Sequence, residues 1–399
     1  MIYKESGYSY NDLTIIPSDY LTDIKSRKEC NPYYEDGMLP LFTAPMSCVV
    51  DEKNFALWEY YGINAILPRT VKYATRMLFL NEGKWVAFSL NEFKKLFCNG
   101  TYAIRKEAIL EGSEFKVCID IANGHMKQIY EAISEAKGLA HENGYKLIIM
   151  TGNIANPKVY LDILMNRYPV DYIRISIGSG NGCLTSSNTG VHYPIASLID
   201  ECKMLQNKAA YEYYQGPKII ADGGIRNYKD INIALALGAD YVMVGSLFAS
   251  IIESSAKTYL QNTLGQNKTD IFPEAHKMFE LAKMTNIDDI MEQYDDLLRD
   301  KMKSYGNSIK KRFYGMSTKE AQIDINAALE YPVDDFVPKT SEGVAKMLDC
   351  KYTLRQWTEN FIDYLRSAMS YTGCRSLEQF KYKTKLIVNS TTAIGSVNK

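Results

Sequence analysis

Residues 178 to 185 read Gly178-Ser179-Gly180-Asn181-Gly182-Cys183-Leu184-Thr185. A cysteine set among glycines and small polar residues is uncrowded, so its thiolate can serve as a nucleophile, and Thr185 stands two residues on, where it can relay a proton. The same backbone can offer carbonyls to a cation or curl beneath a ligand. A lone cysteine is more often a small buried hydrophobe, and that reading suits Cys118, inside an apolar run, together with Cys98, Cys202 and Cys350. Other polar residues close apolar runs: Asp120, Gly152-Asn153, Asp222-Gly223-Gly224 and Gly245-Ser246. Paired glycines let backbone N–H groups approach a phosphate, and Ser246 adds a hydroxyl donor. One such pair is read equally well as a tight turn. Two, on successive runs, favour phosphate.

The elements that must position these residues show as a repeated alternation. Apolar, β-branched runs recur at 39–44, 63–67, 85–88, 115–121, 146–150, 172–177, 218–221 and 241–244. Most are followed by a helical pattern, clearest at 126–142, ended by Asn143-Gly144, and at 230–237, ended by Gly238. Near-continuous apolar strands alternating with helices predict a parallel sheet covered on both faces, and eight units close a (β/α)8 TIM barrel. An open doubly wound sheet is the alternative. The lack of a GxGxxG after the first run and the polar residues at strand ends favour the barrel, whose catalytic rim would gather them all.

Composition sets outer limits. The chain has 399 residues, 46% of them hydrophobic and 23% charged, enough for a large core. Lys plus Arg total 46 against 47 Asp plus Glu, so no basic surplus suggests nucleic acid, and a phosphate site must be built locally. No apolar run of spanning length and no leader-like start point to a membrane, and the eight Cys, without a CxxC pair, suggest neither a disulfide framework nor zinc. A cytoplasmic protein is expected. Segment 258–312 reads as a helical insertion after the eighth strand, with helical stretches at 275–284 and 287–300, and suits an interface or lid. The 30 Tyr are scattered and read as packing.

The order of these segments resembles the IMP dehydrogenase and GMP reductase family. The resemblance runs through Tyr10-Asn11-Asp12-Leu13, Ala44-Pro45-Met46, Asp120-Ile121-Ala122-Asn123-Gly124, Gly152-Asn153 and the cysteine loop into Thr189-Gly190-Val191-His192-Tyr193-Pro194. It continues through Asp222-Gly223-Gly224, Gly238 to Met243, Tyr314-Gly315-Met316-Ser317, Ser341-Glu342-Gly343 and Arg366-Ser367-Ala368-Met369, and breaks over 258–312. It implies one barrel domain over 1–399 with a C-terminal segment packing back on it, usually as a homotetramer. It also implies that Cys183 attacks C2 of the purine of a nucleoside 5′-monophosphate, with Thr185 and Glu342 handling protons. Nucleotide would rest on Met46, Asp222, Gly223, Gly224, Gly245, Ser246, Gly315, Met316, Ser317, Lys339, Ser341 and Gly343. Asp120, Ile121, Ala122, Asn153, Ile177 and Gly178 would face a nicotinamide dinucleotide, and carbonyls of Gly178, Gly180 and Cys183 would hold potassium. Taken singly, Asp120 and Asn153 also suit helix caps, Glu342 a solvated loop charge and Met316 core filling.

Two chemistries share the covalent intermediate. A reductase releases ammonia from GMP and takes hydride from NADPH to give IMP. A dehydrogenase passes hydride from IMP to NAD, and water then releases XMP. The dehydrogenases activate that water with an Arg-Tyr pair in the stretch corresponding to 317–339, which here holds Tyr331 and no Arg. Resemblance at 120–124, 189–194 and 313–317, and the absence of room for a regulatory domain pair in 68–115, also favour a reductase. Gly245-Ser246 and the length of 317–339 favour a dehydrogenase. Ser47, Asn181 and Ser186 depart from the family, which usually has an acid, a Ser and, in reductases, an Arg there. A diverged barrel that binds nucleotide without turnover is the third alternative, and retention of Cys183, Thr185 and Glu342 together weighs against it.

Overall fold

The computed structural model describes residues 7–98, 112–211, 214–261, 267–269 and 287–389. Eight parallel strands form its centre: β2 (Leu41–Thr43), β3 (Ile66–Leu67), β4 (Trp85–Phe88), β5 (Glu114–Ile119), β6 (Lys146–Ile154), β7 (Tyr172–Ile175), β8 (Lys218–Asp222) and β9 (Tyr241–Val244). They pair in the order β2-β9-β8-β7-β6-β5-β4-β3. The circle closes where Thr43 N donates to the Asn64 carbonyl at 2.9 Å and Asn64 N to the Leu41 carbonyl at 3.1 Å. This is the (β/α)8 barrel, and all eight sequence-predicted runs supply a strand.

Helix boundaries follow local chemistry. Helix Lys127–Glu142 gives way at Asn143-Gly144, with Gly144 at φ +72, and Tyr228–Ala236 gives way at Leu237-Gly238, with Gly238 at φ +101. Ser89, Asn156 and Asn227 cap the helices after β4, β6 and β8 by accepting backbone N–H bonds. The barrel interior is a separate apolar cluster that includes Phe42, Trp85, Cys118, Met150, Ile220 and Met243. Its floor is aromatic: Phe42 meets Trp85, Tyr172 and Tyr241 edge-on, with ring centroids 5.8, 6.0 and 5.0 Å away. Each such pair contributes about 0.5–1.5 kcal/mol beyond burial. The barrel is thus plugged at one end, and its chemistry falls to the other.

A second, antiparallel sheet stands beside the barrel in the order β11-β10-β12-β13, built from β10 (Thr258–Gln261), β11 (Asn267–Thr269), β12 (Ile309–Tyr314) and β13 (Ala345–Asp349). The insertion is therefore mixed. Its helical stretch at 287–300 lies within helix Ile287–Tyr305, but its two ends are strands, and the stretch at 275–284 falls outside the described residues. Met291, Tyr294 and Leu298 bury one face of that helix, and its buried Asp295 accepts from the Thr353 hydroxyl. Lys311, on β12, is 1% exposed, and its ammonium donates to the carbonyls of Ile252 and Ser254 and to Thr258 Oγ1, each at 3.0 Å. The C-terminal segment packs back as expected. In helix Leu354–Tyr371, Trp357 meets Phe248 edge-on with ring centroids 4.7 Å apart, and β14 (Lys385–Val388) pairs antiparallel with β1 (Leu13–Ile16). No described helix is long and apolar enough to cross a membrane.

Candidate active site

The loop after β7 carries the only cysteine that is not buried; the other seven are. Burial pushes the thiols of Cys98 up to about 11 and of Cys118 and Cys350 up to about 12, which keeps them protonated and inert. Cys183 Sγ donates to Thr185 Oγ1 at 3.2 Å, and Thr185 Oγ1 donates to Glu342 Oε2 at 2.7 Å. A proton on the thiol therefore has a two-step path to a carboxylate.

Glu342 reaches this place because its segment is zipped onto the cysteine loop. Leu184 N donates to the Glu342 carbonyl at 2.7 Å and Val344 N to the Gly182 carbonyl at 3.0 Å, flanking a bridge between Cys183 and Gly343. The contact needs glycine: a Cβ on Gly315 would lie 2.7 Å from the Gly182 carbonyl oxygen, and one on Gly182 would lie 2.6 Å from the Phe313 ring. Ser341 Oγ fastens the turn by donating to the Gly343 carbonyl at 2.8 Å, and a Cβ on Gly343 would meet Ser317 Oγ at 3.0 Å. Cys183, Thr185, Gly315, Ser317, Ser341, Glu342 and Gly343 are thus assembled at one point.

Asn181 Nδ2 donates to Ser246 Oγ at 3.2 Å, which brings two expected phosphate donors together despite the departure at Asn181. Gly245 packs on Met46, whose Sδ would lie 3.3 Å from an added Cβ. Two cations that sequence reading missed stand here. Lys346, on β13, donates to the Asn181 carbonyl at 3.1 Å, and its ammonium is pushed down by burial and by Arg226 nearby. Together they make a local concentration of positive charge beside Asn181 and Ser246. Gly224 and Arg226 also line a cleft of about 420 Å³ behind the loop, with Gly178, Ser179, Gly180 and Cys183. Tyr10 Oη, Ser179 Oγ and Asp230 Oδ1, in the wall of this cleft, are buried without a protein partner. The Gly178 carbonyl accepts from Ser186 Oγ at 2.9 Å and the Gly180 carbonyl from Cys183 N at 3.0 Å; each keeps a second lone pair. Ile177 offers its carbonyl to His192 Nδ1 at 3.1 Å.

Asp120 and Asn153 are joined through groups at the barrel mouth. Asn153 Nδ2 donates to Asp222 Oδ2 at 2.7 Å, so Gly223 and Gly224 leave a strand whose last carboxylate is already engaged. Arg174, on β7 and unremarked in the sequence reading, connects the two acids: its Nη2 is 3.0 Å from Asp120 Oδ1 and its Nη1 3.9 Å from Asp222 Oδ2. Burial pushes the Asp222 carboxyl up, and Arg174 and Asn153 oppose that shift. Ser47, another departure, donates to Tyr314 Oη at 2.9 Å. A second cleft of about 840 Å³ opens beside Glu342, lined by Ala122, Met316, Ser317 and Lys339 and extending to Arg69 and Lys95, while Ile121 packs toward the core.

The sequence profile of the IMP dehydrogenase / GMP reductase domain matches residues 95–270 and 299–397. The chain is 28% identical over 297 residues to a GMP reductase of Exiguobacterium sp., covering 70% of this chain and 81% of that protein. It is 28% identical over 315 residues to a GMP reductase of Staphylococcus carnosus, covering 73% and 89%. It is 27% identical over 283 residues to an inosine-5′-monophosphate dehydrogenase of Chlorobaculum parvum, covering 71% of this chain and 47% of that protein. With its barrel, its half-buried loop thiol and these matches, the chain belongs to the IMP dehydrogenase and GMP reductase family of purine nucleotide oxidoreductases.

Proposed function

We propose that the protein is a GMP reductase, converting GMP to IMP and ammonia at the expense of NADPH. The observation that carries this reading is the hydrogen-bonded chain from Cys183 through Thr185 to Glu342. In the forward direction Thr185 and Glu342 take the thiol proton, and the Cys183 sulfur forms a bond to C2 of the guanine ring. The same pair returns a proton to the exocyclic nitrogen, which leaves C2 as ammonia and leaves a thioimidate on Cys183. The cofactor supplies a hydride to C2. The C–S bond then breaks, the thiolate is recovered and IMP departs. Asn181, Ser246 and Lys346 suit the 5′-phosphate, and Asp120, Asn153 and Arg174 suit the nicotinamide end.

None of these steps needs an activated water. The stretch 317–339 has no Arg, and its Tyr331 is 75% exposed. A potassium ion on the loop carbonyls and a homotetramer belong to the same proposal, with potassium-dependent turnover and a tetrameric mass as expected correlates.

Nicotinamide absorbance with potassium present tests the reading directly. Loss of reduced cofactor with GMP plus NADPH, accompanied by ammonia, is expected. Gain of reduced cofactor with IMP plus NAD, and none lost with GMP, overturns it in favour of a dehydrogenase; nucleotide binding without either reaction leaves only a binding barrel. Cys183→Ser is expected to abolish turnover while GMP affinity stays within about tenfold. Glu342→Gln is expected to slow turnover by about 10²–10⁴, the usual worth of positioned acid–base help.

A further inference from the structure

The second cleft is lined by the cations Arg69, Lys95 and Lys339 as well as by Glu92, Glu330 and Glu342. Arg69 follows β3; its Nη1 donates to the Asp120 carbonyl at 3.3 Å, while its buried Nε has no partner. Asn91 and Lys95 line the same cleft one turn apart on helix Leu90–Phe97. Among the described residues neither Arg69 nor Lys95 is in an ion pair. Glu92, between Asn91 and Lys95 on that helix, pairs with Arg76 at 2.7 Å; burial pushes its carboxyl up, but Arg76 and hydrogen bonds with Ser89 together hold it below the usual range. The capping box already engages the amides of Ser89 and Glu92. Tyr73, Tyr331 and Phe336 give the cleft aromatic surface, and its volume of about 840 Å³ suits a whole dinucleotide.

We infer that this cleft takes a nicotinamide dinucleotide with its adenosine toward helix Leu90–Phe97, and that Lys95, with Asn91, reads a phosphate on the adenosine 2′-oxygen. Arg69, nearer Asp120, contacts the pyrophosphate. The inference rests on the reading above only in taking the Glu342 end of the cleft as the reaction centre. It makes Lys95 the residue that separates a 2′-phosphorylated dinucleotide from one with a free 2′-hydroxyl, a distinction of one dianion met by one ammonium.

Calorimetric titration of the full chain with NADP+ and with NAD+ tests this without turnover. Wild type is expected to bind NADP+ at least tenfold more tightly than NAD+. Lys95→Ala should weaken NADP+ by about ten- to hundredfold and leave NAD+ within about twofold, Lys95→Arg should recover most of the loss, and the melting temperature should be unchanged. Arg69→Met should weaken both dinucleotides together. Equal affinities in the wild type, or equal losses of both ligands in Lys95→Ala, overturn the assignment. A failure of GMP to oxidise NADPH while Lys95-dependent NADP+ binding persists refutes the reductase reading alone.

Discussion

Replacing Arg174 by Met removes a charge that holds two strand ends together while keeping most of the apolar stem. The side chain is 3% exposed, with Asp120 at 3.0 Å and Asp222 at 3.9 Å. At the effective dielectric that suits protein interiors, those separations correspond to gross attractions of about 5.5 and 4.3 kcal/mol. Burial pushes the guanidinium down, and the pulls that oppose it include those of Asp120 and Asp222. Without the Arg, Asp222 stays buried with only Asn153 to serve it. Breaking a buried pair in this way costs about 3–5 kcal/mol. Urea unfolding at neutral pH, with an unchanged slope, should therefore report a loss in that range for Arg174→Met. Adding Asp120→Asn should return at least about 1 kcal/mol, because the carboxylate that lost its partner is then gone. A single-variant loss below about 1 kcal/mol, or strict additivity in the double variant, would refute the clamp.

Two further outcomes follow from burial. Iodoacetamide on the native protein should label Cys183 alone, GMP should slow the labelling, and the seven buried thiols should react only after unfolding; peptide mass mapping that finds Cys118 or Cys350 modified as fast as Cys183 would contradict this. Glu253 is buried, its carboxylate accepts from Leu354 N at 2.9 Å, and burial pushes it from 4.5 up to about 8. Between those values the folded chain holds the proton more firmly than the unfolded chain, so stability should fall as pH rises from about 5 to 8, by at most about 1.4 kcal/mol per pH unit. Lys311, pushed down to about 8 by burial, acts with the opposite sign above that pH. Glu253→Gln should flatten the slope in denaturant titrations, and an unchanged slope would exclude Glu253 as its source.

The barrel was legible because its signals are local. Each of the eight apolar runs became a strand, and Gly144 and Gly238 mark helix ends by a backbone conformation that favours glycine. The cysteine loop stood out for the same reason. Arg174 did not, since one Arg in an apolar run says nothing of its partners until the strands from β5 to β8 are laid side by side. Lys346 and Arg226 were hidden likewise, because Lys346 acquires its meaning from Asn181 and Arg226 from the cleft it shares with the cysteine loop, each distant in sequence. The hairpin of β10 and β11 and the strand β13 are short and polar, and their charge pattern suits a solvated helix equally well. Only pairing, of β10 and β13 with β12 and of β11 with β10, selects the strand.

The zipper between the cysteine loop and the Glu342 segment sets a timetable. All eight barrel strands lie before residue 245, whereas the carboxylate that accepts from Thr185 is 157 residues further along than Thr185 itself. During synthesis the barrel strands emerge while the thiol still lacks its proton acceptor, and long-range contacts of this kind form slowly. Closing the barrel and arming the cysteine are therefore separate events in the life of the chain, and a partly made molecule carries a shaped but silent site.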